Sequence, residues 1–176
     1  MSEKKAVFYC SASNKIDPRF NDAAREAVRV VCAHGYDIKS GGTTKGTMKV
    51  VCDEARACGV KVEAAVPRFM AGLEYPDLDR CTWTSTMSER KESMREGTSL
   101  AVALPGGIGT IDELIETLVL LKLHQYPGKV VAFNFEKFYD PLKAMLDHFV
   151  QTGMLEQCDR DLILFPETAA ELDELL

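Results

Sequence analysis

The sequence predicts a single-domain α/β protein with a doubly wound parallel sheet, a Rossmann-like arrangement with helices on both faces. Short apolar segments alternate along the chain with longer segments whose apolar residues recur at helical spacing. Short turns join these segments, which favours parallel pairing through crossover helices and a sheet covered on both faces. With 176 residues, 46% of them hydrophobic, the chain is long enough for one complete core and short for two. We therefore expect residues 1–176 to form one domain.

The strands are predicted from short apolar or β-branched runs that end at turn residues. The run at residues 100–104 contains five consecutive apolar residues, which is typical of a strand buried on both faces. Residues 68–79 lack periodicity and indicate an irregular loop. In chain order, the predicted strands are residues 6–10, 36–40, 60–66, 81–86, 100–104, 129–134 and 162–165.

Capping residues and apolar residues at helical spacing predict the helices between these strands. The last helix has a capping box formed by Thr168 and Glu171. In chain order, the predicted helices begin at Asp17 with Pro18, within the loop GGTTKGTMK, at Met87, after the loop PGGIG, at Asp140 with Pro141, and at Thr168. In the helix that begins at Asp140, we expect five apolar side chains to face the core: Leu142, Met145, Leu146, Phe149 and Val150.

A glycine-rich turn separates the strand at residues 100–104 from the next helix. Gly106, Gly107 and Gly109 lack Cβ atoms, so the backbone amides of this turn can approach a ligand closely. The unsatisfied amides and the positive dipole end of the following helix point into the turn. The pattern predicts an anion site, most often one for phosphate, although it is neither a G-x-G-x-x-G fingerprint nor a Walker sequence. In the loop after the first strand, Ser11 and Ser13 are candidates to bind a phosphate.

Glu113 follows Thr110 by three residues, and this spacing supports two interpretations. In the first, Thr110 is the N-cap of a capping box and Glu113 folds back onto its amide. In the second, Glu113 faces the ligand that the loop holds by its phosphate. Asp112 and Glu116 lie in the same two turns, either as further acid groups or as ordinary carboxylates at a helix N-terminus.

The segment PGGIGTIDE matches the PGGxGTxxE motif of the LOG family, and MSERK at residues 87–91 resembles the second motif of that family. The chain is thereby identified as a divergent member of this family. LOG proteins, long mislabelled as lysine decarboxylases, are cytokinin riboside 5′-monophosphate phosphoribohydrolases. The resemblance implies a hydrolase that cleaves the N-glycosidic bond of AMP or an N6-modified AMP, giving free base and ribose 5-phosphate.

The resemblance also implies roles for individual residues. Glu113 would be the catalytic carboxylate, and Arg90 would be its catalytic partner. The substrate and its phosphate would be bound by Ser11, Gly41, Gly42, Met87, Lys91, Gly106, Gly107, Gly109 and Thr110. An alternative is a non-catalytic protein that binds a nucleotide or another phosphate ligand, similar to the molybdenum cofactor carrier proteins, which need no catalytic glutamate.

The chain departs from the family pattern at four positions. In the loop GGTTKGTMK, Thr43 replaces a glycine, Thr47 replaces a leucine and Lys49 replaces another glycine. Ser99 stands where an aspartate is usual. We expect the altered loop to change substrate selectivity rather than to remove activity.

Composition limits the partners that we expect. The net charge of −6 argues against nucleic acid and anionic membrane surfaces as partners, and leaves a small-molecule nucleotide as the expected ligand. No apolar run approaches a membrane span, so we expect a cytoplasmic protein. The six cysteines show no zinc spacing and are predicted to be reduced and buried. The three histidines stand alone, and we expect neither a metal nor a cofactor.

The helix that follows the glycine turn predicts an assembly of identical chains, either a homodimer or a higher oligomer. Its apolar residues form a band wider than the single stripe of a surface helix, so part of the band is expected to meet another subunit. They lie at positions 111, 114, 115, 118, 119, 120, 121 and 123.

Overall fold

A computed structural model describes residues 4–176 of the chain. Its seven strands form one sheet in the order β4-β3-β2-β1-β5-β6-β7, and every neighbouring pair is parallel. This confirms the predicted α/β fold with a doubly wound parallel sheet. The strands are β1 (Lys4–Tyr9), β2 (Tyr36–Ser40), β3 (Val62–Pro67), β4 (Arg80–Thr84), β5 (Leu100–Ala103), β6 (Lys129–Ala132) and β7 (Ile163–Leu164).

Helices cover both faces of the sheet, with α1, α2 and α7 on one face and α3, α4 and α5 on the other. Each face has its own apolar core, because alternate strand residues point to opposite sides. The helices are α1 (Pro18–Ala33), α2 (Gly46–Ala57), α3 (Met87–Arg95), α4 (Ile108–Lys122), α5 (Asp140–Gln151), α6 (Gln157–Arg160) and α7 (Ala169–Leu175).

The strand order reverses between β1 and β5, and this reversal brings two loops together. The chain proceeds outward from β1 to β4 and then returns across the sheet to β5, which pairs with β1. The Leu104 amide donates to the Tyr9 carbonyl at 2.9 Å, so the loops that follow β1 and β5 start side by side. Ligands of open α/β sheets bind at such a switch point, at the carboxyl edge of the strands.

Most predicted elements occur, with corrections at their ends. The first strand begins two residues earlier than expected, and the strand predicted at 60–66 begins two residues later. The strands predicted at 81–86 and 129–134 end two residues early. The irregular segment at 68–79 includes a short 3-10 turn, Arg68–Met70. Helix α6 was not predicted because its four residues, QCDR, carry no apolar period.

Two predictions about buried side chains are wrong. Met145 and Phe149 are exposed, because α5 buries a narrow stripe formed by Leu142 and Leu146. Among the cysteines, all of which lie within the described residues and are free thiols, Cys58 and Cys158 are exposed and Cys81 is half-buried. Cys58 caps the end of α2, and Cys158 lies in the short helix α6, so neither faces the sheet.

Residues 4–176 contain no group of three or more histidine, cysteine, aspartate or glutamate side chains placed to hold a metal ion. No helix in this part of the chain combines the length and the apolar character that crossing a membrane requires.

Candidate functional site

The first turn of α4 presents free backbone amides to a cavity of about 320 Å³. Gly107 is the N-cap of α4, and Ile111 donates to the Gly107 carbonyl at 3.1 Å. The amides of Ile108, Gly109 and Thr110 therefore precede the first hydrogen bond within the helix and carry the positive end of its dipole. This arrangement is suited to an anion, as the glycine turn predicted.

Arg90 and Glu113 form a buried ion pair in the wall of this cavity. Arg90 Nη1 donates to Glu113 Oε1 at 2.9 Å, and each residue is 5% exposed. Arg90 Nε also donates to the Ala65 carbonyl at 3.2 Å, at the carboxyl end of β3. Burial raises the pKa of Glu113 above its usual range, and the Arg90 charge opposes that rise.

The capping-box interpretation of Glu113 is wrong. Gly107 is the N-cap, so α4 begins at Ile108 and Thr110 is already the third residue of the helix. Glu113 therefore lies in the second turn, where its side chain reaches Arg90 of α3 instead of folding back onto the start of its own helix.

Eight of the predicted site residues line this same cavity. They come from the loop after β1, from α3 and from the start of α4, three segments that meet at the switch point. They are Ser11, Met87, Arg90, Lys91, Gly107, Gly109, Thr110 and Glu113.

Gly106, Gly41 and Gly42 lie outside the cavity lining. A Cβ on Gly106 would lie 2.2 Å from Thr110 Oγ1, so this glycine lets the Thr110 side chain pack against the turn. A Cβ on Gly42 would lie 2.1 Å from the Cβ of Ala64. A Cβ on Gly41 would likewise overlap the Arg90 guanidinium. These glycines therefore leave room for neighbouring residues and do not line the cavity themselves.

In the second glycine loop, residues 41–49, backbone amides that could bind an anion donate to protein acceptors instead. The Gly46 amide donates to Asn14 Oδ1 at 2.8 Å, and the Met48 amide donates to the Ser11 carbonyl at 3.3 Å. The start of α2 is therefore bound to the loop after β1. The amides of Gly46 and Met48 are therefore not free for an anion.

The substitutions that distinguish this loop from the family pattern have different surroundings. Buried Thr43 donates to Met48 Sδ at 3.3 Å, and Met48 lines the cavity. Buried Thr47 donates to Asn21 Oδ1 at 3.0 Å. Lys49 is exposed and pairs with Asp53 at 2.6 Å, outside the cavity lining.

Ser99 lies at the opposite edge of the sheet from the cavity. Its amide donates to the Lys5 carbonyl at 2.9 Å, and its carbonyl accepts from the Lys129 amide at 3.1 Å. The side chain that replaces the usual aspartate therefore stands at the start of β5, while the cavity lies beyond the end of that strand.

Lys91 is at the cavity wall, but its charge is shared with carboxylates of α4. Its ammonium pairs with Asp112 at 3.0 Å and also with Glu116. The hydrogen bond to Glu116 and, to a smaller extent, the one to Asp112 raise the pKa of Lys91. Arg95 pairs with Glu116 at 2.7 Å and extends the same connection between α3 and α4.

Sequence reasoning did not assign several residues that line the cavity. Cys10 and Ala12 flank Ser11 in the loop after β1, and burial raises the pKa of the Cys10 thiol. Ile108, 92% exposed, and Met48 add apolar surface. The position of Cys10, directly after a strand at the switch point, is a signal that could have identified it.

Comparison with known proteins gives a family and a fold. The family model described as "Possible lysine decarboxylase" matches residues 48–176. The cytokinin riboside 5′-monophosphate phosphoribohydrolase LOG of Oryza sativa subsp. japonica is 29% identical over 171 residues, covering 96% of this chain and 71% of the rice protein. The cytokinin riboside 5′-monophosphate phosphoribohydrolase LOG2 of Arabidopsis thaliana is 28% identical over 183 residues, covering 100% of this chain and 86% of the Arabidopsis protein.

Solved structures of molybdenum cofactor proteins have the same fold. The carrier protein of Chlamydomonas reinhardtii superposes with a TM-score of 0.74 at 17% identity, covering 98% of this chain and 95% of that chain. The binding protein of Rippkaea orientalis gives a TM-score of 0.71 at 14% identity, covering 99% and 96%. At these identities the likeness concerns the fold alone.

Proposed function

We propose, given that this chain belongs to the possible lysine decarboxylase family, that it is a phosphoribohydrolase acting on a nucleoside 5′-monophosphate. The substrate is AMP or an N6-modified AMP of the cytokinin type, and the products are the free base and ribose 5-phosphate. The observation that carries this proposal is the buried Arg90–Glu113 pair beside the free amides of α4, within one cavity.

The 5′-phosphate binds at the start of α4. The amides of Ile108, Gly109 and Thr110 donate to its oxygens, and the helix dipole favours its negative charge. Anchoring the phosphate fixes the ribose against the cavity wall, so that binding energy from a remote group serves the reacting centre.

Glu113 acts at the ribose C1′. Breaking the N-glycosidic bond sends its electron pair to the base and builds positive charge at C1′, which a nearby carboxylate stabilises. Water then forms the new C1′–O bond, and the Glu113 carboxylate takes up the proton that the water loses. Arg90 holds that carboxylate in place and opposes the effect of burial on its pKa.

The leaving base also takes up a proton, and the two carboxylates considered for this step differ in position. Asp112 lines the cavity, whereas Glu116 lies outside its lining and pairs with Lys91 and Arg95. The cavity geometry therefore favours Asp112 as the relay to the base. Because Asp112 is a carboxylate paired with Lys91, it takes a proton from solvent water and passes it to the base, while the proton that Glu113 took from the attacking water returns to solvent.

The cavity lining also includes apolar side chains. Met48 from α2, Met87 from α3 and Ile108 from α4 are suited to pack against a purine ring, and Cys10 lies beside them. A flat apolar base fits such side chains, and the amides at the start of α4 fit an anion. The lining therefore provides contacts for both the base and the phosphate of a nucleotide.

A second candidate is a non-catalytic protein that binds a phosphate-containing ligand on the same fold. The similarity in fold to molybdenum cofactor carrier proteins favours it. That function needs the free amides of α4 and gives no role to a buried carboxylate at the ligand. The Arg90–Glu113 pair is therefore the feature that favours the enzyme.

A panel of nucleoside 5′-monophosphates and their nucleosides tests the proposal. Each compound is incubated with the protein, and free base is measured by chromatography. We expect base release from a purine monophosphate and a rate lower by about a hundredfold or more for the matching nucleoside, because the phosphate provides the anchor. Equal rates for AMP and adenosine would contradict the phosphate anchor.

We also propose that the protein is a homodimer in which α4 contributes to the interface. One side of α4 packs on the sheet through Leu114 and Leu118, while Val119 and Leu123, one turn apart, are 48% and 54% exposed. Light scattering at micromolar concentration tests this proposal, which a monomeric mass would overturn. Replacing both Val119 and Leu123 with serine is expected to lower the measured mass to that of one chain.

A further inference from the structure

Helix α3 has little apolar contact with the rest of the molecule. Among its nine residues, all within the described part of the chain, the buried ones are Arg90 and Met94. A helix with so small an apolar face depends on polar contacts for its placement. At its N-terminus, Thr86 Oγ1 accepts from the Glu89 amide at 3.1 Å, and the Glu89 carboxylate accepts from the Ser85 amide at 2.7 Å.

The C-terminus of α3 is held by a lysine from a strand. Lys39 lies in β2 and is 8% exposed, and its Nζ donates to the Ser93 carbonyl at 2.7 Å and to the Glu96 carbonyl at 2.8 Å. The last carbonyls of a helix have no partner within the helix and carry the negative end of its dipole, so an ammonium group satisfies both requirements.

Burying this ammonium group has a cost. Burial lowers the pKa of Lys39, and the nearby Glu63 carboxylate opposes that change. The two carbonyl acceptors offset the cost of removing the charge from water. Lys39 is therefore a connection between the sheet and the end of α3 that an apolar side chain would not reproduce.

The same short segment of chain meets α3 at a second point. Gly41 lies two residues after Lys39, and a Cβ at Gly41 would lie 2.1 Å from Arg90 Nη2. Lys39 thus holds the last turn of α3, while Gly41 leaves space for the guanidinium of Arg90 one turn earlier. Both contacts are made to the helix whose Arg90 donates to Glu113.

We propose that Lys39 is a positioning residue, which fixes the C-terminal end of α3 so that Arg90 reaches Glu113. Its effect on turnover rests on the proposed function, whereas its effect on α3 does not. Lys39 acts through α3 and lies outside the cavity lining, so its loss should lower kcat and leave the phosphate anchor on α4 in place.

The test compares Lys39→Met with Lys5→Met in the full chain. Lys5 is a matched control, because it lies on the neighbouring strand β1 and its ammonium pairs with Glu63 at 2.6 Å instead of with carbonyls of α3. Hydrogen exchange of the amides in residues 90–96 is measured together with kcat and KM for AMP. Both variants are checked for an intact fold by circular dichroism.

For Lys39→Met, we expect α3 amides to exchange about tenfold faster or more, because two hydrogen bonds from a charged donor are lost. We expect kcat to fall by a similar factor and KM for AMP to stay nearly unchanged. Lys5→Met also disturbs Glu63 but keeps both hydrogen bonds from Lys39 to α3, so it should change the exchange of α3 amides and kcat much less than Lys39→Met does. Lys39→Arg, which keeps a charged donor, should restore part of both effects. If Lys39→Met does not fold, Lys39→Gln provides the same comparison with a neutral, shorter donor.

Two results would overturn the proposal: α3 exchange in Lys39→Met no faster than in Lys5→Met, or a lower melting temperature with kcat unchanged. The second result would reduce Lys39 to a purely stabilising role. If the wild type proves inactive on every nucleotide, the exchange measurement still decides whether Lys39 holds α3, so failure of the proposed function is separated from failure of this inference.

Discussion

Arg90 occupies the space that a side chain at Gly41 would fill, since a Cβ there would lie 2.1 Å from Arg90 Nη2. The glycine loop after β2 and the Arg90–Glu113 pair are therefore connected through contact between these two residues. We predict that Gly41→Ala displaces the guanidinium and lowers kcat/KM by about tenfold or more, as expected when a catalytic group is misplaced.

A double-mutant cycle measures this connection. If the effect of Gly41→Ala comes from its contact with Arg90, the substitution should cost little further activity once Arg90→Ala has removed the guanidinium. Steady-state kinetics of the two single variants and the double variant provide the comparison. Independent, additive losses would show that Gly41 acts by another route.

Arg90→Lys tests whether the planar guanidinium is needed. Arg90 binds the Ala65 carbonyl through Nε and Glu113 through Nη1, two contacts that a single ammonium group does not make in the same geometry. We expect kcat of Arg90→Lys to fall by about tenfold to a hundredfold. Its free energy of unfolding should change less than that of Arg90→Met, which leaves a buried carboxylate unpaired at a cost of about 3–5 kcal/mol. Kinetics and urea unfolding measure the two effects, and wild-type kcat in Arg90→Lys would contradict the geometric argument.

The pH dependence of activity follows from the environment of Glu113. Burial raises the pKa of this carboxyl above its ordinary value of 4.5. In the proposed mechanism the carboxylate is the working form. The value of kcat/KM should then fall as the pH drops through that raised pKa, so the acidic limb should lie above pH 4.5. A limb below pH 4.5 would contradict this assignment.

The same shift affects stability in the opposite direction. A raised pKa in the folded state means that folding favours the protonated carboxyl. The contribution of Glu113 to the free energy of unfolding is therefore fully present below pH 4.5, and it is lost as the pH rises through the raised pKa. Glu113→Gln stays neutral throughout. Its melting temperature relative to the wild type should therefore increase as the pH rises from 4.5 to 7.

Thr43 and Lys49 separate the two kinds of substitution in the second glycine loop. Thr43 supports Met48 of the cavity, whereas exposed Lys49 pairs with Asp53. We predict that Thr43→Ala changes the ratio of kcat/KM between AMP and an N6-modified AMP by about threefold to fivefold, in line with the loss of one hydrogen bond of about 1 kcal/mol. Lys49→Ala should leave that ratio unchanged, and a shift of equal size in both variants would rule out the Met48 route.

Local sequence patterns predicted the fold because each element carries its own signal. Asp17 caps α1 by accepting from the Arg19 amide, and Thr168 caps α7 by accepting from the Glu171 amide. The N-cap of α4 was less accessible to sequence reasoning, because Gly107 caps through backbone conformation and leaves Thr110 available as a plausible alternative. The exposure of Met145 was missed because periodicity does not reveal how wide a stripe the sheet edge covers.

The motif-based part of the site was predictable from sequence, and its supporting contacts were not. The glycine turn and the resemblance of MSERK to a family motif placed Arg90 and Glu113 together, as the structure finds. No sequence rule places Gly41 behind the guanidinium or Lys39 under the end of α3, because both contacts depend on where a helix crosses a sheet. Met48 entered the cavity lining for the same reason.

The most direct test of the central claim is the yield of free adenine and ribose 5-phosphate from AMP, measured for the wild type, Glu113→Gln and Glu54→Gln. Glu54 is a suitable control because its carboxylate is also nearly buried and pairs with a cation, Arg29, at 2.6 Å on the other face of the sheet. We predict equimolar products from the wild type and Glu54→Gln, and a loss of about a thousandfold or more in Glu113→Gln. A folded wild-type protein that binds AMP and releases no adenine, or a Glu113→Gln variant as active as the wild type, would contradict the account.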